Sequence, residues 1–153
     1  MSWFNFFGFC VLILLFIPNV IYAFHHQEVE HSRVNLMMDM FEQIGRYGTI
    51  AFMCVQIRIF NYGFCTKNLF LLWALTTLIL ILLYWFGWIF YYFHKGRCVT
   101  MYLAVIPSII FINTGIFMRY VALILFACIF AVGHCYVTFK NNHVDLLEGE
   151  DKV

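Results

Sequence analysis

The sequence predicts an all-α integral membrane protein, a helical bundle of about five transmembrane helices with an amphipathic interfacial connector. Residues 69–93 carry no charged side chain, and this run is longer than the roughly 20 apolar residues needed to cross a bilayer core. Hydrophobic residues make up 64% of the chain and charged residues 11%, whereas soluble domains carry about 25% charged residues. A chain of 153 residues cannot surround several such helices, so lipid must solvate most of its surface.

The composition also limits the classes of function. The net charge is +1 and the 9 lysines and arginines are scattered, so nothing resembles the basic patch of a nucleic-acid-binding protein. No GxSxG, HExxH, P-loop or dinucleotide-binding motif occurs. No aspartate or glutamate lies inside the clear spans, which argues against a proton-coupled pump and against intramembrane acid–base hydrolysis, and leaves a membrane enzyme as the third hypothesis. No catalytic residue is therefore assigned.

The cysteines indicate neither a disulfide framework nor a metal centre. They form no CxxC pair, and no histidine lies at zinc-ligand spacing from two of them. A free cysteine in an apolar stretch behaves as a small hydrophobe. We therefore expect reduced structural thiols, with no metal and no other cofactor, at all 6 positions, which are Cys10, Cys54, Cys65, Cys98, Cys128 and Cys135.

The first hydrophobic segment, residues 3–24, is predicted to be a membrane helix. Pro18 removes one backbone donor and is expected to kink this helix near its end. A cleaved signal peptide is the alternative, with Ala23 as the cleavage position. The basic region that normally precedes the apolar part of a signal peptide is missing. We therefore expect the segment to be retained.

Residues 25–46 are predicted to be an amphipathic connector. Apolar side chains recur at spacings of three and four, which indicates a helix that lies along the interface or docks on the bundle; they are Val34, Met37, Met38, Phe41 and Ile44. Histidines and glutamates crowd the start of the connector at a spacing that matches no metal motif. We expect a solvated interfacial loop there rather than a metal site, at His25, His26, Glu28, Glu30 and His31.

The second segment, residues 47–63, is the least apolar candidate. Only residues 47–57 are free of charge, and Arg46 and Arg58 bound them. The segment spans the membrane if an arginine reaches the headgroups or lies against protein. A re-entrant or interfacial helix is the alternative.

The remaining spans are predicted at residues 69–93, 98–118 and 120–139. The first of these ends in tryptophans and tyrosines followed by cations, which is typical of a helix leaving the membrane. Only Arg119 separates the last two, so they should form an antiparallel hairpin. Residues 1–140 then form a single transmembrane domain, and residues 141–153 form a polar, mobile cytoplasmic tail.

The distribution of cations predicts the orientation. Cytoplasmic loops carry an excess of lysine and arginine. Five spans place Arg33, Arg46, Lys95, Arg97, Lys140 and Lys152 on one side and Arg58, Lys67 and Arg119 on the other. We therefore expect the N-terminus outside and the C-terminus in the cytoplasm of a multi-pass protein of the plasma membrane.

The strongest polar cluster is the sequence EQIGRYG at residues 42–48. Glu42 and Arg46 stand at i and i+4 with the acid first, the better order for a helical ion pair. Gly45 and Gly48 would permit close approach of another helix. The cluster is either a structural hinge or a polar site for an ion or an anionic headgroup.

Three further polar residues complete the candidate binding set. Arg58 bounds the marginal span, Asn113 lies inside the fourth segment and His134 lies inside the fifth. Polar side chains at depth usually face protein, because lipid cannot satisfy them. Interhelical hydrogen bonding is therefore expected of Asn113 and His134, with a proton relay through His134 as the alternative.

Four short motifs carry a resemblance to a known group of proteins. They are IPNVIYAF at 17–24, EQIGRYG at 42–48, AVIPSIIFINTGI at 104–116 and GHCYVTFKNN at 133–142. Together they resemble a group of small uncharacterised bacterial multi-span membrane proteins. The resemblance covers most of the chain and implies the same span layout in a bacterial plasma membrane. It implies no activity.

These observations lead to two expected functions. The first is a small non-enzymatic membrane protein, an accessory subunit in transport or envelope maintenance. The alternative is a small-solute or ion transporter that acts as an oligomer, because one bundle of five helices leaves little room for a pathway. The expected partners are the lipid bilayer and either further copies of the chain or a larger membrane complex, and no nucleic acid.

Overall fold

A computed structural model describes residues 4–25, 36–55 and 63–150, with side chains as far as residue 142. These ranges form an all-helical bundle, as the sequence predicts. The 5 helices are α1 at Phe6–His25, α2 at Leu36–Cys54, α3 at Lys67–Phe93, α4 at Arg97–Phe117 and α5 at Val121–Glu150.

Four of these helices are long and apolar enough to cross a membrane: α1, α3, α4 and residues 121–142 of α5. Their outward faces are mainly apolar, unlike the surface of a soluble protein. Phe24, Leu71 and Phe93 are among many large apolar side chains that point outward. The interior has an apolar core and in addition holds polar side chains, namely Asn5, Glu42, Thr49, Thr77, Ser108 and Thr114. Apolar surface turned to lipid and polar groups turned to protein are what a bilayer demands, so this is a multi-pass membrane protein.

The helices alternate in direction from α1 to α5. Phe7 packs on Phe70 with ring centroids 5.1 Å apart, and Tyr22 packs on Trp88 at 5.2 Å, so α1 and α3 run parallel. Trp73 of α3 donates to Thr114 of α4 over 3.2 Å, which places the start of α3 beside the end of α4. The Arg119 end of the bundle thus holds Phe6, Cys54, Lys67, Phe117 and Val121, and the Lys95 end holds His25, Leu36, Phe93, Arg97 and Asn142.

The packing is centred on α4. Half of the membrane-crossing stretch of α4 is buried inside the protein, against 22% of the corresponding stretch in each of the other three apolar helices. Pro107 lies within this helix and is buried. A buried proline is tolerated in a membrane helix because neighbouring helices can satisfy the backbone groups that it frees.

The turn between α4 and α5 is as short as the sequence predicts. Arg119 takes the left-handed conformation, with φ at 53°, and Tyr120 donates its backbone N–H to the Gly115 carbonyl over 2.8 Å. One residue in this conformation commonly closes the C-terminus of a helix. The two helices then pack as an antiparallel hairpin.

Helix α2 differs from the layout expected from sequence. It runs without a break across the expected boundary at residues 46 and 47, so residues 36–54 form one helix rather than a connector followed by a second segment. It docks on α5 in the antiparallel sense, because Tyr120 just before α5 donates to the Val55 carbonyl just after α2 over 3.3 Å, while Glu42 in the first half of α2 contacts His134 further along α5. Of the two placements expected for the amphipathic residues, docking on the bundle is the one observed. Charged residues on α2 keep it outside the set of four apolar helices.

Two other helix boundaries also differ from those that the sequence predicts. Helix α3 begins at Lys67, not residue 69, because the Thr66 hydroxyl accepts from the Leu69 N–H over 3.3 Å and caps the helix. Helix α5 continues to Glu150 and so passes residue 141, where the sequence predicted that a polar tail begins. Residues 141–148 contain neither glycine nor proline, so nothing in them stops a helix.

Candidate functional site

The centre of the candidate site is the carboxylate of Glu42, whose side chain is 8% exposed. Its Oε1 atom accepts a hydrogen bond from Nη2 of Arg46 one turn later on α2. The same Oε1 lies 3.0 Å from Nδ1 of His134 on α5. Three of the five residues predicted for the site are therefore brought together. The ion pair between Glu42 and Arg46 is confirmed, and so is interhelical hydrogen bonding by His134.

Glycines on both helices allow this contact. A Cβ atom on Gly45 would lie 2.5 Å from Cα of Phe130, and one on Gly133 would lie 2.7 Å from the backbone N of Glu42. Both distances are far below van der Waals contact, so only glycine fits at either position. The backbones of α2 and α5 therefore approach closely enough for the short reach from Glu42 to His134.

Aromatic stacking orients the imidazole of His134. Its ring lies 4.8 Å from the ring of Phe130 at an interplanar angle of 16°. Phe130 in turn packs edge-on against Phe111 of α4, with ring centroids 5.6 Å apart. This stack leaves the imidazole one well-defined position beside Glu42.

A cavity of about 260 Å³ adjoins the cluster. Arg46 and His134 line it from α2 and α5, and Asn19 and Tyr84 line it from α1 and α3. Asn19 Nδ2 donates to the Tyr84 hydroxyl over 2.9 Å. The rest of the wall is apolar and consists of Leu12, Leu15, Phe16, Ile50, Pro107, Phe111 and Phe130.

The cavity lies well between the two ends of the apolar helices. Pro107 stands in the middle of α4. His134 lies about 20 Å along α5 from Val121 and about 12 Å before Asn142, at a rise of about 1.5 Å per residue. The charged cluster is thus inside the bundle, nearer to the Lys95 end than to the Arg119 end.

The arrangement can bind an anion. Arginine carries several N–H donors and no acceptor. The contact with Glu42 uses Nη2, while Arg46 also lines the cavity and its side chain is 39% exposed. A planar donor fork of this kind matches the oxygens of a carboxylate or a phosphate.

The other two predicted site residues lie elsewhere. Asn113 donates to the hydroxyls of Thr76 and Thr77, over 3.3 Å in each case. It therefore ties α4 to α3 away from the cavity, which confirms its expected interhelical role but not its place in the site. Arg58 lies outside the described residues.

Sequence reasoning missed two lining residues, Asn19 and Tyr84. Asn19 offered a signal, since it is a polar residue inside an apolar segment. Tyr84 offered none, because a tyrosine near the end of a membrane helix is normally assigned to the aromatic belt.

The described residues contain no group of histidine, cysteine, aspartate or glutamate side chains that could hold a metal. His25 contacts the Ile21 carbonyl through Nδ1 over 3.1 Å. The other histidines and glutamates at the start of the connector, residues 26–31, lie outside the described ranges.

No family model matches the chain, and no curated protein or solved structure matches it either. Function therefore has to be inferred from the geometry of the site.

Proposed function

We propose that this protein is a small non-enzymatic membrane protein that binds an anionic group, a carboxylate or a phosphate-like head, in the cavity between α1 and α2. The observation that carries the proposal is Arg46, a charged residue that lines a cavity well inside the length of the apolar helices. Of the two functions expected from sequence, this supports small-solute handling more than a purely structural accessory role. An anion-binding subunit of a larger complex would combine the two.

The cost of placing an arginine at this depth supports the proposal. Charged side chains inside a membrane are expensive and usually mark a substrate or ion pathway. If Arg46 had only a structural role, the carboxylate of Glu42 would be sufficient as its partner. The cavity instead adds His134, Asn19 and Tyr84 on three other helices. Several polar groups converging from different helices in an apolar wall are typical of a binding pocket.

The packing of α1 supports a ligand that enters from the side. At the Arg119 end α1 touches α2 closely, where the Asn5 N–H donates to the Cys54 carbonyl over 2.8 Å. Further along, the space between the two helices is the cavity itself, lined by Leu12 and Asn19 on one side and Arg46 and Ile50 on the other. A lipid headgroup or a free solute could occupy this space, and the shared chemistry is an anionic oxygen.

The proposal includes a location, the plasma membrane of a bacterium. The motifs that resemble small bacterial membrane proteins support it. The orientation proposed with it has the Lys95 end in the cytoplasm. That end carries Lys95, Arg97 and Lys140, whereas Lys67 and Arg119 stand at the other.

Ligand binding to the purified protein tests the proposal. The protein in phosphatidylcholine nanodiscs is titrated with inorganic phosphate, a free solute, and with decanesulfonate, an anionic amphiphile. Decanol, which has the same chain without the charge, is the neutral control. We expect one of the two anions, and not decanol, to raise the thermal unfolding midpoint. Stabilisation by phosphate would indicate a solute, and stabilisation by decanesulfonate alone a headgroup.

Two arginine variants locate the binding. Arg46→Gln removes the donor fork that faces the cavity, and charge-assisted hydrogen bonds are worth about 1.5–3 kcal/mol, so affinity should fall by at least about tenfold. Arg97→Gln makes the same change at an exposed position at the start of α4 and should leave affinity unchanged. If neither anion bound, or if the Arg46→Gln variant bound as tightly as the wild type, the proposal would be refuted.

A further inference from the structure

The side chains of Glu42, Arg46 and His134, called the Glu42 cluster below, have a charge balance that an incoming anion would disturb. Glu42 carries one negative charge and Arg46 one positive charge, so the cluster is neutral while His134 is neutral. A bound anion would leave one uncompensated negative charge inside the bundle. Such a charge is strongly unfavourable where the dielectric is low.

We propose that the anion enters together with one proton, which His134 takes up. The inference rests on the proposed function, since it concerns the same cavity and the same ligand. Histidine is the side chain whose charge ordinarily changes between pH 5 and 8. With His134 protonated, the site holds two positive and two negative charges and is neutral again.

The geometry allows the partners to be exchanged. Nη2 of Arg46 and Nδ1 of His134 meet the same oxygen, Oε1 of Glu42. When the guanidinium turns toward an anion in the cavity, the imidazolium remains as the partner of Glu42 over the 3.0 Å contact. The proton is released by the buffer acid in the surrounding solvent and binds the imidazole nitrogen that is free of a proton, so no other reactant is needed. After binding, the anion is paired with Arg46, and the protonated imidazole of His134 is paired with Glu42.

The surroundings of His134 leave few other acceptors for the proton. Helix α1 presents Asn19, α3 presents Tyr84, and α4 presents only Pro107 and Phe111. On α5 itself the stacked neighbour is Phe130. Among the described residues that line the cavity, Arg46, His134 and Tyr84 are the groups that titrate or carry charge, and Glu42, which contacts His134, is the rival for the proton.

Calorimetry on the wild-type protein in nanodiscs tests the inference directly. Decanesulfonate is the probe, because a sulfonate stays ionised throughout the range used and takes up no proton itself. Binding heats measured at pH 7.5 in two buffers of different ionisation enthalpy give the number of protons taken up. We expect about one proton for each anion, and therefore an affinity that rises by up to about tenfold for each unit by which the pH is lowered.

Two variants assign the proton. His134→Gln should bind decanesulfonate with no proton uptake and with an affinity independent of pH. Glu42→Gln should also bind without proton uptake, and more tightly than the wild type at pH 8, because its cluster starts with one positive charge. Size-exclusion profiles establish that each variant is folded, and the wild-type calorimetry stands if one of them is not.

The outcomes separate this inference from the proposed function. Tight binding by the wild type without proton uptake would overturn the inference and leave the proposed anion site standing. Equal proton uptake by the His134→Gln variant would assign the proton elsewhere and also overturn it. No binding of decanesulfonate or phosphate to the wild type would refute the proposed function, and the inference would fall with it.

Discussion

At the scale of single residues, the pairing of Glu42 and Arg46 has an energy that mutation can measure. An exposed helical pair contributes only about 0.3–0.5 kcal/mol, whereas breaking a buried pair strands a charge and costs about 3–5 kcal/mol. Glu42 is almost fully buried and Arg46 is 39% exposed. The energy of this pair should therefore lie between these two limits. Glu42 has the environment of a buried pair, whereas Arg46 is partly exposed.

We expect Glu42→Gln and Arg46→Gln each to lower stability by about 1.5–3 kcal/mol, the value of a hydrogen bond to a charged group. The double variant should lose less than the sum, because the second change removes a charge that the first had stranded. Thermal unfolding in a mild detergent measures all three. Small and strictly additive effects would show that the two side chains are merely solvated.

Arg119 combines a strained backbone with a charge between two apolar helices. Its φ of 53° lies in the left-handed region, which costs a residue other than glycine about 1–2 kcal/mol. Its Nη1 atom lies 3.1 Å from the Cys65 sulfur at the Arg119 end. Arg119→Leu keeps the strain and removes the charge, Arg119→Gly removes both, and Arg119→Lys keeps both.

Arg119→Leu should reduce the yield of correctly inserted protein most, because it fuses two spans into one apolar run about twice the length of a membrane helix. Arg119→Lys should insert as the wild type does, and Arg119→Gly should fall between them. Membrane-fraction yield and protease accessibility measure the effect. If the leucine variant inserts normally, the turn is set by packing and not by charge.

At the scale of helices, the contact between α2 and α5 depends on glycine. A Cβ on Gly133 would lie 2.7 Å from the backbone of Glu42, so the helices would have to move apart. Overpacking of this kind costs about 1–3 kcal/mol, against a gain of up to about 1 kcal/mol from the better helix propensity of alanine.

Gly133→Ala should therefore lower the thermal midpoint and also weaken anion binding, because it separates His134 from Glu42. Gly96→Ala is the matched control, since a Cβ at Gly96 would have nothing within 4 Å. It should leave anion affinity unchanged and lower the midpoint only slightly, because Gly96 is the N-cap residue of α4. A stable Gly133→Ala variant with normal anion affinity would show that the two helices adjust without disturbing the site.

Local patterns made the helices and half of the site predictable. Long apolar runs define four helices, a spacing of four pairs Glu42 with Arg46, and paired glycines indicate close helix packing. The partner on α5 was not predictable as a partner, because His134 lies 92 positions from Glu42 along the chain. The extent of α2 was misjudged for the same reason. Its charges suggested an interface, and only contact with α5 explains how the bundle accommodates them.

At the scale of the whole molecule, the direction of the helices constrains the path of the chain. Helices α1 and α3 run parallel, so the chain must return across the membrane between residues 25 and 67. Helix α2 runs in that direction along α5, and its 19 residues extend about 28 Å, close to the thickness of the bilayer core. We expect it to cross although it is polar, because its buried carboxylate, Glu42, lies against α5 and not against lipid. With α2 as a fifth crossing, we expect the two ends of the chain to lie on opposite sides of the membrane.

Labelling of single cysteines tests this path and its orientation. Cys65 lies at the Arg119 end beside Arg119, and Cys98 lies at the Lys95 end in the first turn of α4; both are exposed. Each is kept in turn in a variant whose other cysteines are alanine, and intact cells are treated with a membrane-impermeant maleimide. Because the Lys95 end carries more cations, it should be cytoplasmic, so Cys65 should react and Cys98 should react only after permeabilisation. Labelling of Cys98 alone would invert the orientation, and labelling of both in intact cells would contradict the opposed ends of the bundle.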